Sequence, residues 1–315
     1  MQPFRILAID GGGVRGAAPA SFLKELEQAL GRPIHDSFDL VAGTSTGGLI
    51  ALYIAGTGNT ATSCCDEFYT PEILGKIMDK SLWDRVAPVQ GKPTYDGKGK
   101  TAVVREVLGE KRLQEVDKKL LVTAYDFIER HIVVYKSWGG VNHRVNPLLW
   151  EIADATSAAP TFFPSVQMED GRWLIDGGMA ANNPSTCALA EAIRLGHDVE
   201  NIRVLSLGTG RASPQQLDRD RYGQESRDWG AVGWMTSGKL LDHLFTGGST
   251  AMDYLSRQIL GDAFVRVDEY LTLASPATDD VSPENIDKLK AEGKAWFEAS
   301  KDQVLALLGA SDAGR

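Results

Sequence analysis

The sequence predicts an α/β fold with a central, mainly parallel β-sheet. The first observation is a short apolar run at residues 4–9 that ends at Asp10 and a glycine loop, followed by a helical pattern over residues 17–30. The second is another apolar run at residues 38–41, which enters a tight turn and an apolar helix from Leu49. Because strands joined by helices usually run parallel, this order indicates a parallel sheet with helical crossovers.

The remaining elements follow the same pattern along the chain. Gly31 and Pro33 mark the end of the first helix. Strands are expected at residues 120–126, 131–135, 172–178 and 203–207, and helices at 151–159, 184–195 and 283–308. Residues 211–228 are polar and are expected to form a surface excursion. Residues 229–260 combine tryptophans and leucines with several glycines.

Length and charge restrict the classes of protein. We expect one domain over residues 1–315, with a motif-bearing core at about 4–210 and an extension over 211–315 that completes it. The formal net charge of −9 argues against binding of a nucleic-acid polymer, which requires a basic surface.

The cysteines and the apolar runs indicate the compartment. Cys64, Cys65 and Cys187 form neither a metal-ligand spacing nor a disulfide framework, which fits a reducing setting. The N-terminus lacks the layout of a signal peptide, and no apolar run reaches the roughly 18 residues of a membrane span. We therefore expect a cytoplasmic protein without a metal or another cofactor.

The segment from Gly43 to Gly47 fits the G-x-S-x-G pattern of a nucleophile elbow. Its flanking positions are small, as a tight strand-to-helix turn requires. The turn places the hydroxyl of Ser45 at a helix N-terminus, where unpaired N–H groups favour developing negative charge. Ser45 is therefore the candidate nucleophile, with an ordinary strand-to-helix turn as the alternative.

The upstream loop offers backbone donors. Gly11, Gly12 and Gly13 expose amide groups without side chains in the way, which is what an oxyanion hole needs. Arg15 is expected either to hold this loop or to neutralise a phosphate. The spacing up to Gly16 also matches a dinucleotide-binding fingerprint, but the next strand does not end in the required acidic residue.

Asp176 is the candidate general base, since it ends a strand and precedes two glycines. A Ser-His-Asp triad would need His197 or His243, and both are better explained as surface residues. A carboxylate is a weaker base than histidine by roughly 3.5 kcal/mol of proton affinity. We therefore expect Asp176 to be partly buried and paired with the hydroxyl of Ser45.

Residues 10–16, 43–47 and 176–178, in this order, resemble the patatin-like phospholipase family. The similarity extends to residues 158–164 and 205–210, and the chain looks like the compact bacterial members. The resemblance implies a three-layer α/β/α fold and ester hydrolysis through a Ser45–Asp176 dyad. It also implies an oxyanion hole at Gly11, Gly12 and Gly13 with Arg15 beside it, and no metal.

This resemblance implies a lipid acyl hydrolase of the phospholipase A or lysophospholipase type, peripheral to a membrane when active. Residues 229–260 are then candidates for a lid or a membrane-facing surface, with core packing and a dimer contact as alternatives. Some relatives are antiphage effectors, so activation by a cyclic nucleotide and a homo-oligomer are further hypotheses. A thioester or peptide hydrolase with the same dyad and a non-catalytic binding module are the rival functions.

Overall fold

The computed structural model describes residues 2–79, 92–139, 146–213, 219–236 and 240–309. These ranges contain a sheet of eight strands: β1 (Phe4–Ile9), β2 (Leu40–Thr44), β3 (Lys119–Asp126), β4 (His131–Lys136), β5 (Val166–Gln167), β6 (Trp173–Asp176), β7 (Ile202–Leu207) and β8 (Phe264–Val267).

The α-helices are α1 (Ala17–Leu30), α2 (Thr46–Ala51), α3 (Ala61–Ser63), α4 (Pro71–Ile77), α5 (Lys98–Leu108), α6 (Leu149–Thr156), α7 (Gly178–Ala181), α8 (Ser185–Arg194), α9 (Arg219–Glu225), α10 (Ala231–Thr236), α11 (Leu240–Leu260) and α12 (Pro283–Leu307). Helix α2 continues into a π-helical turn, Leu52–Gly56.

The sheet is mainly parallel, as predicted. Strand β1 lies between β2 and β7, β3 follows β2, and β8 follows β7, all in parallel pairs. Strands β4 and β6 pair antiparallel with β3, and β5 pairs antiparallel with β6. The carboxyl ends of β1, β2 and β7 therefore lie along one edge, where sites of parallel sheets gather.

Two hydrophobic cores cover the two faces of the sheet. Leu7 and Ile9 of β1 belong to the core shared with α1, α2 and α12, whereas Ile6 belongs to the core shared with α8 and the end of α11. This alternation is the period-two pattern of a strand buried on both faces. The fold is the expected three-layer α/β/α arrangement.

Boundaries differ from the sequence-based expectations in a few places. Strand β2 begins at Leu40 and extends to Thr44, and α6 ends at Thr156, before the predicted limit. The polar segment 211–228 contains α9, which carries an ion pair between Arg221 and Glu225 one turn apart. Residues 214–218 and 237–239 of the predicted excursion and lid lie outside the described residues.

The part after residue 210 belongs to the same sheet and core. Strand β8, which the sequence did not predict, extends the sheet beyond β7. Ser282 caps α12 through its hydroxyl, and Ile286 and Leu289 of this helix are buried. Among the helices described, none has both the length and the apolar character needed to cross a bilayer.

Candidate active site

Ser45 occupies a sharp turn between β2 and α2, with φ of 53° and ψ of −124°. Positive φ at a residue other than glycine typically costs about 1–3 kcal/mol and persists where the surroundings enforce it. A Cβ on Gly43 would lie 2.1 Å from the Gly47 carbonyl oxygen, and one on Gly47 would lie 2.2 Å from the Ile9 oxygen. The turn therefore requires small flanking residues, as the sequence predicted.

Neighbouring elements hold the backbone of Ser45. Its N–H donates to Thr156 Oγ1 at 2.9 Å, and that hydroxyl donates to the Thr123 carbonyl at 2.7 Å. Its own carbonyl accepts from the N–H of Leu49 at 2.9 Å. The serine backbone is thus fixed on both sides, while the residue keeps 9% of its surface exposed.

Two strands bring Ser45 and Asp176 together. Strand β2 ends with Thr44 opposite Thr123 of β3, and β6 ends with Asp176 opposite Ala124, the next residue of β3. Because β4 pairs with Ala124 on the other side, β6 must lie on the same side of β3 as β2. The two strands therefore approach each other end to end, and the serine and the aspartate lie where they meet.

Asp176 is more deeply buried than expected, with 1% of its surface exposed. One carboxylate oxygen accepts from the N–H of Gly178 at 2.7 Å. The Ser45 hydroxyl is close enough to lower the pKa of the carboxyl group. Burial raises the pKa of Asp176 to about 6, against the opposing effects of Ser45, Gly178 and the charge of Lys100. This pKa approaches the value of about 6.5 that is usual for histidine.

Lys100 of α5 is a buried charge that sequence reasoning missed. Its ammonium group lies 2.9 Å from the Asp154 carboxylate and donates to the Asp154 carbonyl oxygen at 2.7 Å. Its charge also lowers the pKa of Asp176. A signal was present, because Lys100 shares the apolar face of α5 with the buried residues Val103 and Leu108.

The glycine loop passes beside Ser45. A Cβ on Gly11 would lie 3.1 Å from the Cβ of Ser45. Gly12 packs against Thr209, whose hydroxyl oxygen would be 2.0 Å from an added Cβ. Gly13 has φ of +60°, and an added Cβ would lie 2.2 Å from the carbonyl oxygen of Thr278. Close contacts therefore exclude side chains at all three positions.

The three amides of the loop differ in their partners. The N–H of Gly11 donates to the Asn182 carbonyl at 3.1 Å, so it supports the loop itself. Within the described part of the chain, the N–H groups of Gly12 and Gly13 donate no hydrogen bond. Of the three amides proposed from the sequence, these two have no partner among the described residues.

Arg15 connects the glycine loop to the segment that follows β7. Its Nε donates to the Gly12 carbonyl at 3.3 Å and its Nη1 to the Gly210 carbonyl at 3.1 Å. Burial lowers the pKa of Arg15, but a guanidinium stays protonated in proteins. Of the two roles expected from the sequence, these contacts support loop positioning.

Asp10, immediately before the loop, is held by the C-terminal part of the chain. Arg266 of β8 donates to its two oxygens at 2.7 and 2.6 Å, a bidentate pair. Burial alone would lower the pKa of Arg266, but the charges of Asp10 and Asp268 raise it. Ser249 of α11 donates to Asp10 at 3.1 Å and accepts from Asn182 Nδ2 at 2.9 Å. Sequence reasoning found none of these partners.

The two histidines considered for a triad lie elsewhere. The ring of His197 stacks on Phe4 at 3.9 Å, at the opposite end of β1 from the glycine loop. His243 is exposed on α11. In the described ranges, no group of His, Cys, Asp and Glu side chains is placed to hold a metal ion.

A serine hydroxyl on an enforced turn, a buried carboxylate and a glycine loop lie close together at the carboxyl edge of the sheet. Such a set can activate the hydroxyl and stabilise an oxyanion, which are the two requirements of acyl transfer. The fold and the site thus define a serine hydrolase of the α/β class.

The chain belongs to the patatin-like phospholipase family, whose family model matches residues 7–189. It is 31% identical to patatin-like protein 2 of Oryza sativa subsp. indica, over 95% of this chain and 85% of the relative. It is 29% identical to patatin-T5 of Solanum tuberosum, over 94% of this chain and 84% of the relative.

A solved structure shares the fold at low sequence identity. Human GIVD cytosolic phospholipase A2, in complex with methyl gamma-linolenyl fluorophosphonate, matches with a TM-score of 0.50 and 12% identity. The match covers 98% of this chain and 58% of that chain. The expected family and its fold are confirmed, and the protein is a hydrolase of lipid acyl esters.

Proposed function

We propose that Ser45 and Asp176 form a catalytic dyad that cleaves acyl esters of phospholipids or lysophospholipids. The meeting of these two side chains beside the unpaired amides of Gly12 and Gly13 is the observation that supports it. Asp176 takes the proton of the Ser45 hydroxyl as that oxygen attacks the ester carbonyl carbon. The two amides hold the oxyanion that forms.

The second half of the reaction returns the enzyme to its starting state. The tetrahedral intermediate breaks its bond to the alcohol, which receives the proton from Asp176, and the acyl group stays on Ser45. Water then attacks this acyl ester while Asp176 takes its proton. Release of the fatty acid returns that proton to Ser45.

The environment of Asp176 suits a base without histidine. Its pKa of about 6 leaves the group ionised at neutral pH. A base is most effective when its pKa lies near the working pH, because it is then both ionised and basic enough to take the proton. Burial thus offsets part of the weakness of a carboxylate as a base.

Fatty-acid release from phosphatidylcholine and lysophosphatidylcholine tests the proposed dyad. Ser45→Ala and Asp176→Asn should each lower kcat by about 10⁴-fold or more, as expected for residues that act as a unit. Asp126→Asn is the matched control, since Asp126 is an equally buried carboxylate on β3. It accepts hydrogen bonds from the N–H groups of Ile128 and Glu129 in the following turn. Full activity of either dyad variant would overturn the proposal.

A substrate panel separates the proposed activity from its rivals. The rate of hydrolysis is measured for phospholipids, lysolipids, triglycerides and acyl-thioesters at equal concentration. Cleavage of casein is measured beside them as the peptide substrate. We expect release from the phospholipid or lysolipid to be fastest. Faster turnover of the thioester or of the peptide would assign the same dyad to another substrate class.

We also propose that the protein binds membranes peripherally through α10 and α11. Of the fourteen large apolar side chains exposed in the described ranges, three lie on α10 and four on α11, so exposed apolar surface is concentrated there. Leu244, Leu255 and Ile259 share one side of α11. The same helix reaches the site, because a Cβ on Gly178 would lie 3.4 Å from Phe245. This surface therefore joins the site to a lipid aggregate.

Co-sedimentation with phosphatidylcholine vesicles tests the membrane surface. Leu244→Asp with Leu255→Asp should abolish binding. Thr246→Asp with Thr250→Asp is the control, because it adds the same charge at exposed positions of α11 off that side. Equal binding by both double variants would refute the surface. A change of oligomeric state in the leucine variant with unchanged vesicle binding would instead assign the surface to a second copy of the chain.

Activation by a cyclic nucleotide, in defence against phage, is a hypothesis that depends on resemblance to such effectors alone. It is tested by measuring fatty-acid release with and without a panel of cyclic mono- and dinucleotides. A rise in kcat with one of them would support the hypothesis, and equal rates throughout would refute it.

A further inference from the structure

Ser249 joins helix α11 to the residue that precedes the glycine loop. The residue is buried, and its hydroxyl both donates to Asp10 Oδ2 at 3.1 Å and accepts from Asn182 Nδ2 at 2.9 Å. One hydroxyl therefore uses a donor and an acceptor function at once, with two different elements of the site.

Asn182 carries this contact into the loop. Its carbonyl accepts from the Gly11 N–H at 3.1 Å, and its Nδ2 lies 3.4 Å from the Gly11 carbonyl oxygen. The hydroxyl of Thr209 donates to the same Gly11 oxygen at 3.0 Å. Gly11 is thus held at its N–H and at its carbonyl, directly before the two unpaired amides.

Arg266 holds the other side of Asp10. Its Nη1 also donates to Ser206 Oγ at 2.8 Å, which ties the pair to β7. With Arg266 on one side and Ser249 on the other, the carboxylate of Asp10 has little freedom to turn. The direction of the peptide that follows is restricted with it.

We propose that Ser249 is a positioning residue for the oxyanion hole, through which the placement of α11 controls the Gly12 and Gly13 amides. The inference depends on the proposed function, because it assumes that these amides bind the oxyanion. The donors of an oxyanion hole must point at the oxyanion that forms in the transition state. A displacement of a few tenths of an ångström therefore weakens their hydrogen bonds to it. Loss of the hydroxyl would leave Asn182 Nδ2 with only its 3.4 Å contact to the Gly11 carbonyl oxygen, and the carboxylate of Asp10 with Arg266 as its remaining side-chain partner.

The same helix provides a matched control. Ser256 lies seven residues further on, is also buried on the inner side of α11, and shares hydrogen bonds with the hydroxyls of Ser185 and Thr186. Its partners belong to α8 and not to the glycine loop. Ser256→Ala therefore removes a buried hydroxyl from α11 without touching the loop.

The test compares kcat, KM and inhibition by a lipid trifluoromethyl ketone, which forms an oxyanion-bearing adduct with a serine nucleophile. Removing an oxyanion donor costs about 100–1000-fold, and a residue acting through others should cost less, about 10-fold. We expect Ser249→Ala to lower kcat by about 10-fold and to leave KM within about twofold. Inhibition by the ketone should become weaker by about 10-fold as well.

The outcomes are distinguishable. Ser256→Ala should change kcat and ketone inhibition by less than about twofold at a comparable loss of Tm. Equal kcat for the two variants, or a loss of kcat without weaker inhibition by the ketone, would overturn the positioning role. If Ser249→Ala does not fold, Ser249→Cys, which is close in size and a weaker donor, is measured in its place. Activity independent of Ser45 would instead refute the proposed function.

Discussion

The turn at Ser45 and the glycine loop meet at one point of the sheet edge but are held in different ways. The turn is enforced by its own glycines, by Leu49 of α2 and by Thr156 of the adjacent helix. The loop is held from distant parts of the chain, by Thr209 after β7, by Ser249 and by Arg266.

This difference separates two requirements of acyl transfer. A nucleophile needs one atom at a fixed place, which a short turn between a strand and a helix can supply. An oxyanion hole needs several peptide groups aligned at once, and a loop of three glycines has too much conformational freedom to align them alone. The outer contacts restrict that freedom, and they reach the loop from α11 and β8.

The largest effect is expected at the turn. Gly47→Ala places a Cβ 2.2 Å from the Ile9 carbonyl oxygen, a backbone atom that cannot move aside. We expect loss of detectable hydrolysis and a Tm lower by at least about 5 °C, since overpacking typically costs 1–3 kcal/mol or more. Thermal unfolding and fatty-acid release measure both. Gly75→Ala is the control, because its Cβ meets nothing within 4 Å.

At the loop, we expect activity to fall more than stability. Gly12→Ala brings a Cβ to 2.0 Å from the Thr209 hydroxyl oxygen and 2.6 Å from the Thr209 Cβ, which rotation of that side chain cannot move, so the loop itself must shift. Because Gly12 and Thr209 both lie beyond the ends of their strands, we expect the sheet to persist. The expected result is a loss of kcat of about 100-fold, the scale of one misplaced oxyanion donor, with little change in Tm. A fall in Tm as large as that of Gly47→Ala would show that the two regions are held alike.

The pH profile measures the electrostatic surroundings of the proposed base. Protonated Asp176 cannot accept a proton, so kcat/KM should fall as the pH drops through about 6. The double variant Lys100→Met, Asp154→Asn removes the ammonium group of Lys100, whose charge lowers the pKa of Asp176, together with the carboxylate that pairs with Lys100. The acid limb should therefore move to higher pH. Asp154→Asn alone is the control, and an unmoved or downward-shifted limb in the double variant would contradict the assignment.

The smallest effect is expected at the backbone support of the turn. Thr156→Val removes the acceptor of the Ser45 N–H but keeps the shape of the side chain. We expect a loss of about 1–3 kcal/mol of stability and only a few-fold change in kcat, since the glycines still enforce the turn. Urea unfolding and steady-state kinetics measure these. A loss of kcat above about 100-fold would place Thr156 among the residues that the reaction requires.

The sequence predicted those parts of the site whose requirements are local. Gly43, Ser45 and Gly47 lie within five positions, so a tight turn could be recognised from their spacing alone. The strands and the first helix could be predicted because both faces of the sheet are covered and its strands are continuous apolar runs. Bringing Asp176 to Ser45 required a register between strands, which no spacing gives; the expectation came from the place of Asp176 at a strand end and from the lack of a suitable histidine, and the family resemblance agreed with it.

The contacts of the loop could not be predicted in the same way. Ser249 and Arg266 lie 239 and 256 positions from Asp10, and no periodicity connects them. A single arginine in the apolar run of β8 was a signal that a buried acid would lie opposite it. Lys100 gave a similar signal on the apolar face of α5. In both cases a charged residue at an apolar position indicated a buried partner of opposite charge elsewhere in the chain, because an unpaired buried charge is costly.

Labelling with an alkyl fluorophosphonate tests the pairing of Ser45 with Asp176 most directly, because it needs an activated nucleophile and no lipid surface. We predict one phosphonyl adduct per chain by intact mass, located by digestion on the peptide that contains Ser45. Its rate should rise with pH with a midpoint near about 6, and Asp176→Asn should slow it by at least about 100-fold. An adduct on another residue, or labelling at the wild-type rate in Asp176→Asn, would contradict the pairing.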